Sequence, residues 1–350
     1  MEVETDLILM RDYLDLNYDE LHHESFTEDM IRDVREMMEV QLDDPCEESI
    51  AKALFLFKGR TCYSYPKLEN VPALLEKLRN KPQPKQKTPE WYEYRHKLIT
   101  ASSAYKAIGS DAKVRELLKG KSKPFEMYES TSAEGPMHWG VKYEPVSIQY
   151  YQYEYKTKVE EFGCITHDTL TFLGASPDGI NVDETSPLYG RMIEIKNPFT
   201  REINGNPKLE YWVQCQVQME VCDLNACDFV ETKFVEYESE EAFREDGTFL
   251  RTQDGKYKGI ILQFFTDKVS YEYAPFQCSE EEYKIWEETC MSDPTRSWVK
   301  TIYWKLDTTS RVIIPRQKRW FDHIAPKLID VFKMVQNKYN NMLPYQHYRD

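Results

Sequence analysis

The segment that most restricts the fold is Arg191-Met192-Ile193-Glu194-Ile195-Lys196. From Ile193 onward, apolar and charged residues alternate. Successive strand side chains point to opposite faces. Ile193 and Ile195 therefore face a core, while Glu194 and Lys196 share the other side, roughly 7 Å apart along the strand. The preceding GASPDGI segment, residues 174–180, places a Pro-Asp-Gly turn at the end of the previous strand. That turn can bring Asp178 beside Glu194 and Lys196.

Strand patterns also occur at residues 162–166, 170–175, 228–237, 258–265 and 269–273. Helical patterns occupy 100–108, 143–155, 207–222, 279–292 and 318–340. Residues 1–80 read as helical, with Met30, Ile31, Val34, Met37 and Met38 at helical spacing and two further helices at 50–57 and 71–78. The KPQPKQKTP stretch, residues 81–89, is basic, proline-rich and lacks an apolar face, which predicts a linker. The expected organisation is an acidic helical region (1–80), a linker (81–89), a catalytic-type core (90–278) and a C-terminal helical extension (279–350). The fold class is α/β (α+β), with a central mixed sheet flanked by helices.

The net charge of −15 is unevenly spread. Residues 1–50 hold 17 acidic and 3 basic side chains, whereas residues 79–123 hold 12 basic and 4 acidic ones. The acidity is thus an N-terminal property, suited to a solvated face or to docking on a basic surface. Lys113, Arg115, Lys119, Lys121 and Lys123 could track a phosphate backbone or form a solvated loop. The eight cysteines show no CxxC pair or zinc spacing and read as free thiols in a reducing compartment. No apolar run reaches membrane-spanning length and no secretory signal opens the chain, so an intracellular, cytoplasmic or nuclear protein is expected.

Two carboxylates and a lysine on one face suit phosphodiester hydrolysis. Asp178 and Glu194 can hold a hard divalent cation, Mg²⁺ or Mn²⁺, with the Ile195 carbonyl as a further ligand. Lys196 can orient or help deprotonate an attacking water and stabilise negative charge. By themselves these two pieces also fit an ordinary turn and a paired surface face.

Further motifs follow in order. Trp91-Tyr92-Glu93-Tyr94-Arg95 with Ile99-Thr100-Ala101-Ser102 comes first, then Trp139-Gly140 with Tyr143-Glu144. SPDG, EIK and Gln214-Cys215-Gln216-Val217-Gln218 complete the series. Together they resemble the YqaJ-like viral recombinase (bacteriophage lambda exonuclease) family of PD-(D/E)XK nucleases, over residues of about 88 to about 275.

The resemblance implies a restriction-endonuclease-like core. It also implies Glu144 as an additional metal ligand, Asp178 and Glu194 as the principal ones, Lys196 as the catalytic lysine and Gln216 in the site wall. Arg95 and Ser102 would bind a terminal 5′-phosphate, a role suited to a guanidinium beside a helix start. The implied activity is a 5′-to-3′ exonuclease on duplex DNA ends in viral-type recombination or replication. A single-strand annealing protein is the implied partner and a trimer the implied assembly. Two alternatives stay open: an endonuclease on DNA or RNA, and a nuclease fold retained as a non-catalytic DNA-binding module.

Overall fold

In the computed structural model, Met192–Lys196 is the strand β6 at the heart of a seven-stranded sheet. The structure describes residues 68, 70–123, 125 and 135–342, all within the compact unit Tyr65–Asp350. The helices expected at 28–42 and 50–57 lie outside the described residues.

In chain order the elements are α1 (Val71–Asn80), α2 (Pro89–His96), β1 (Ile99–Thr100), α3 (Ala101–Ile108), α4 (Asp111–Lys121) and α5 (Pro136–Tyr155). Short strands β2 (Val159–Glu160), β3 (Ile165–Thr166), β4 (Leu173–Ala175) and β5 (Gly179–Asn181) lead to β6. Then come α6 (Leu209–Cys222), β7 (Ala226–Glu236), α7 (Glu240–Glu245), β8 (Lys258–Phe265), β9 (Val269–Tyr273), α8 (Glu280–Met291), β10 (Ser297–Pro315) and α9 (Lys318–Met342).

The large sheet runs β2-β5-β6-β7-β10-β8-β9. β6 pairs antiparallel with β5 and parallel with β7, whereas β10 is antiparallel to both β7 and β8. The sheet is therefore mixed, as a helix-flanked α/β core requires. Ile193 and Ile195 pack with Tyr151, Leu188 and Val230 in one apolar cluster. The opposite face of β6 carries Glu194 and Lys196 beneath α6. A second sheet, β1-β4-β3, delivers the chain to Asp178.

Two expectations about organisation change. The extension beyond residue 279 is not purely helical, because the 19-residue strand β10 lies inside it and inside the sheet. Its pairing shifts register between Trp298 and Lys300 and between Leu306 and Thr308. These bulges break the period-two pattern, and the Asp307–Ser310 stretch has turn-like composition.

The stretch at 81–89 is not a tether between units. It is a strap across the core, with α1 on the same unit burying Leu75 and Leu78. Gln83 accepts from the Gly163 N–H at 2.7 Å, and Gln86 donates to the carbonyls of Phe162 (2.8 Å) and Pro177 (3.0 Å). These side-chain amides provide the anchoring that an apolar face would otherwise give. At Gly163 an added Cβ would sit 2.3 Å from the Pro84 carbonyl oxygen, so the strap and the core touch backbone to backbone.

Candidate active site

β6 presents Glu194 and Lys196 to a cleft of about 610 Å³, and α6 closes over them. Glu194 is only 1% exposed. Its Oε1 accepts from Gln214 Nε2 at 2.6 Å and from Lys196 Nζ, and its Oε2 accepts from Gln218 Nε2 at 2.8 Å. Gln214 and Gln218 can act together because residues four apart share a helix face. The backbone N–H of Ile195 donates to Asp178 Oδ2 at 2.7 Å, which ties the Pro-Asp-Gly turn to β6. Glu144 enters from α5, and its Oε1 meets Lys87 Nζ at 2.8 Å.

The cleft thus brings together Glu144, Asp178, Glu194, Ile195 and Lys196. Burial pushes the Asp178 carboxyl well above the usual range, and the charges of Glu194 and Glu144 push it further. Burial opposes the charge on Lys196, but Glu194 and Asp178 outweigh it and raise its pKa. Without a metal, Glu194 and Asp178 favour the ammonium form of Lys196, which places a positive charge in the cleft.

Arg95, in the last turn of α2, lies at the other wall. Its guanidinium stacks over Trp91 at 4.1 Å and donates to Ser176 Oγ at 3.2 Å and Ser102 Oγ at 3.0 Å. Trp91 Nε1 also donates to Ser176 Oγ, at 3.1 Å. Ser102 is available because it does not cap α3. Thr100 and Ser103 form that capping box, with the Thr100 N–H donating to Ser103 Oγ at 3.0 Å. Arg95 and Ser102 both line the cleft.

Gln216 is elsewhere. Its Nε2 donates to the Pro315 carbonyl at 2.8 Å, and its Oε1 accepts from the Gln317 N–H at 2.7 Å. It joins α6 to the end of β10 and does not line the cleft. Val213, Val217 and Val221 make one apolar stripe along α6, but the helix is buried on nearly every side, so a position flanking that stripe does not identify the cleft-facing side.

Gln218, Gln214, Ser176 and Lys87 are the cleft residues that the motif reading passes over. The i, i+4 glutamine pair was the available signal. Arg201 is another: it lines the cleft and pairs with Glu231, which is 1% exposed on β7 in register with Lys196. Of the basic stretch, Lys119, Lys121 and Lys123 line a separate hollow with His96 and Lys106. Lys121 points inward, donating to the Arg95 carbonyl at 2.8 Å, and burial lowers its pKa to about 8.

Among the described residues, no three His, Cys, Asp or Glu side chains are assembled as a ready metal cage. Glu144 is engaged by Lys87, and Glu194 by its three donors. The donor set nevertheless fits a hard cation. Glu144, Asp178 and Glu194 line one cleft with Ile195, and the Asp178 pKa, raised first by burial and then by the charges of Glu194 and Glu144, marks a carboxylate that a cation would stabilise.

Residues 90–225, which include every cleft residue from Arg95 to Gln218, match the family model of the YqaJ-like viral recombinase domain.

An uncharacterized protein of Acanthamoeba polyphaga mimivirus is 26% identical over 318 residues, covering 79% of this chain and 56% of that protein. The chain thus spans about half the length of this curated relative. Among solved structures, an alkaline exonuclease from Laribacter hongkongensis is 19% identical and covers 74% of this chain and 98% of its own, with a TM-score of 0.43. A phage-related exonuclease from Haemophilus somnus 129PT is 15% identical and covers 71% and 96%, with a TM-score of 0.37.

The matched segment ends before β7, β8 and β10, so much of the sheet that supports the cleft comes from residues beyond the match. Among the described residues, no helix is long and apolar enough to cross a membrane.

Proposed function

We propose that this protein is a divalent-cation-dependent nuclease that hydrolyses DNA phosphodiester bonds, working 5′ to 3′ from duplex ends in viral-type recombination or replication. The observation that carries the reading is a single cleft lined by Glu144, Asp178, Glu194 and Lys196 together with Arg95 and Ser102.

Asp178, Glu194, Glu144 and the Ile195 carbonyl would hold Mg²⁺ or Mn²⁺, which when bound supplies Lewis-acid polarisation of the phosphoryl oxygen and a water of lowered pKa. The protein's own groups do the rest. Gln214 and Gln218 fix the Glu194 carboxylate in one orientation. Lys196 places an ammonium where negative charge grows on the phosphorus-bound oxygens. Arg95, held flat on Trp91, offers a planar donor set to a terminal phosphate, and Ser102 at the start of α3 adds a hydroxyl beside the helix N–H groups. An anion held there would orient the strand end relative to the carboxylates. A single-strand annealing protein and a trimeric assembly belong to the same reading.

The test compares linear 5′-phosphorylated duplex, linear 5′-hydroxyl duplex and closed circular DNA, with Mg²⁺ or EDTA, and with Lys196→Ala as the control. Digestion of the phosphorylated linear duplex alone, lost in EDTA and in the variant, is the expected result. Cutting of the circle would replace exonuclease by endonuclease. Binding without cleavage of DNA or RNA in any metal would leave only a binding module.

A further inference from the structure

Lys87 reaches the cleft from outside the family-matched segment, and its backbone adopts φ +65°, in the left-handed region that disfavours residues with a Cβ. Three other described non-glycine residues do this: Lys156, Asp223 and Gln277. Lys156 and Asp223 terminate α5 and α6, where a left-handed residue is the ordinary way to stop a helix. Lys87 ends no helix. It sits between Gln86, anchored to the Phe162 and Pro177 carbonyls, and Thr88, the N-cap of α2. The chain is pinned on both sides, and the left-handed turn between the pins directs the side chain at Glu144. Strained conformations persist where the surroundings over-determine them, and they cluster at functional sites.

The contact itself is informative. Lys87 Nζ lies 2.8 Å from Glu144 Oε1, with the two side chains 40% and 27% exposed. Both belong to the cleft wall that contains Asp178 and Glu194. Among the described residues, neither group makes another side-chain hydrogen bond or ion pair. An ammonium therefore stands at the carboxylate that the proposed function assigns to the cation.

We propose that Lys87 is a further active-site residue: an internal counter-cation that competes with the divalent cation for Glu144 and, once displaced, contacts a substrate phosphate. The proposal rests on the metal-dependent reading above. Displacement is feasible because the pair is solvent-accessible and such pairs are weak. The freed ammonium remains tethered in a cleft whose other cations keep contacts of their own: Lys196 and Arg201 with carboxylates, Arg95 with two hydroxyls, and Lys208 at 3.8 Å from Glu210. Lys87, having given up Glu144, is then open to a substrate phosphate.

The experiment titrates Mn²⁺ into full-length protein without nucleic acid, following heat or tryptophan fluorescence, for wild type, Lys87→Met, Lys87→Arg and Lys87→Gly. Lys87→Met is expected to bind Mn²⁺ roughly three- to tenfold more tightly, with Lys87→Arg near wild type. Lys87→Gly removes both the ammonium and the backbone strain, so it should match Lys87→Met while melting no lower than wild type. On 5′-phosphorylated duplex, Lys87→Met should raise KM several-fold, with kcat changed much less.

Equal Mn²⁺ affinity in wild type and Lys87→Met overturns the competition and leaves the nuclease reading intact. Tighter Mn²⁺ binding with an unchanged KM overturns the phosphate contact. Failure of every protein to bind Mn²⁺ overturns the metal-dependent reading, and the proposal with it.

Discussion

The two walls of the cleft are built on opposite electrostatic plans. At one wall, Asp178 faces Glu194 and Glu144, and its carboxyl is forced well above its usual range. At the other, Arg95 is stacked on Trp91 and hydrogen-bonded to Ser176 and Ser102. Burial lowers its pKa without putting its charge in doubt. The acidic wall is frustrated until something cationic arrives, whereas the basic wall is preassembled. Under the proposed function, a site that gathers a metal and then seats an anion has reason to be unfinished at the first position and finished at the second.

Breaking the acidic wall should have the largest effect. Lys196→Ala and Asp178→Asn should each reduce hydrolysis by roughly a thousandfold or more, measured as mononucleotide release under saturating Mg²⁺. Retention of a tenth of the activity by either would remove that residue from the reaction centre.

Arg95→Ala probes the other wall. Loss of one charge-assisted phosphate contact costs about 2 kcal/mol, or roughly thirtyfold in KM for 5′-phosphorylated ends. The variant should then no longer discriminate them from 5′-hydroxyl ends.

The contrast also predicts stability. A raised folded pKa at Asp178 means that the neutral acid stabilises the fold. That contribution is complete below the ordinary value of 3.8 and is lost as pH rises through the folded value. At neutral pH, Asp178→Asn should therefore stabilise the metal-free protein, and the gain should shrink on acidification. Mg²⁺ should raise Tm in wild type and much less in the variant. A variant that melts below wild type without metal would contradict the frustrated wall.

Two glutamines on α6 give the finest comparison. Gln218→Ala should slow hydrolysis, because it frees one Glu194 oxygen. Gln216→Ala should instead cost about 1–3 kcal/mol of stability and leave kcat nearly unchanged, by denaturant melts and steady-state kinetics.

The alternation around Glu194 was readable because strand geometry leaves two residues on one face no other arrangement. The mixed sheet with flanking helices was legible for the same reason, from periodicity over many short segments. Asp178 was readable because a Pro-Asp-Gly turn has few conformations. The wall position that the resemblance implies for Gln216 does not hold, and helical periodicity offers no correction, because it identifies a face only when one side meets water and α6 is enclosed. β10 was missed because two bulges interrupt its pattern. Lys87 was hidden altogether, since nothing in a lysine between glutamine and threonine announces a left-handed backbone.

The hydrogen bonds of Gln216 reach further than stability. α6 holds Glu194 with one face and grips the junction of β10 and α9 with the other. The reaction centre and the junction at residues 315–317 are therefore coupled in series through a single helix, like opposite ends of a lever. A fragment cut at residue 225, where the family match ends, would keep every cleft residue from Arg95 to Gln218. It would nonetheless lose β7 beside β6 and the anchor behind α6. The minimal active piece should be defined by that chain of contacts, and it extends at least ninety residues past the family border.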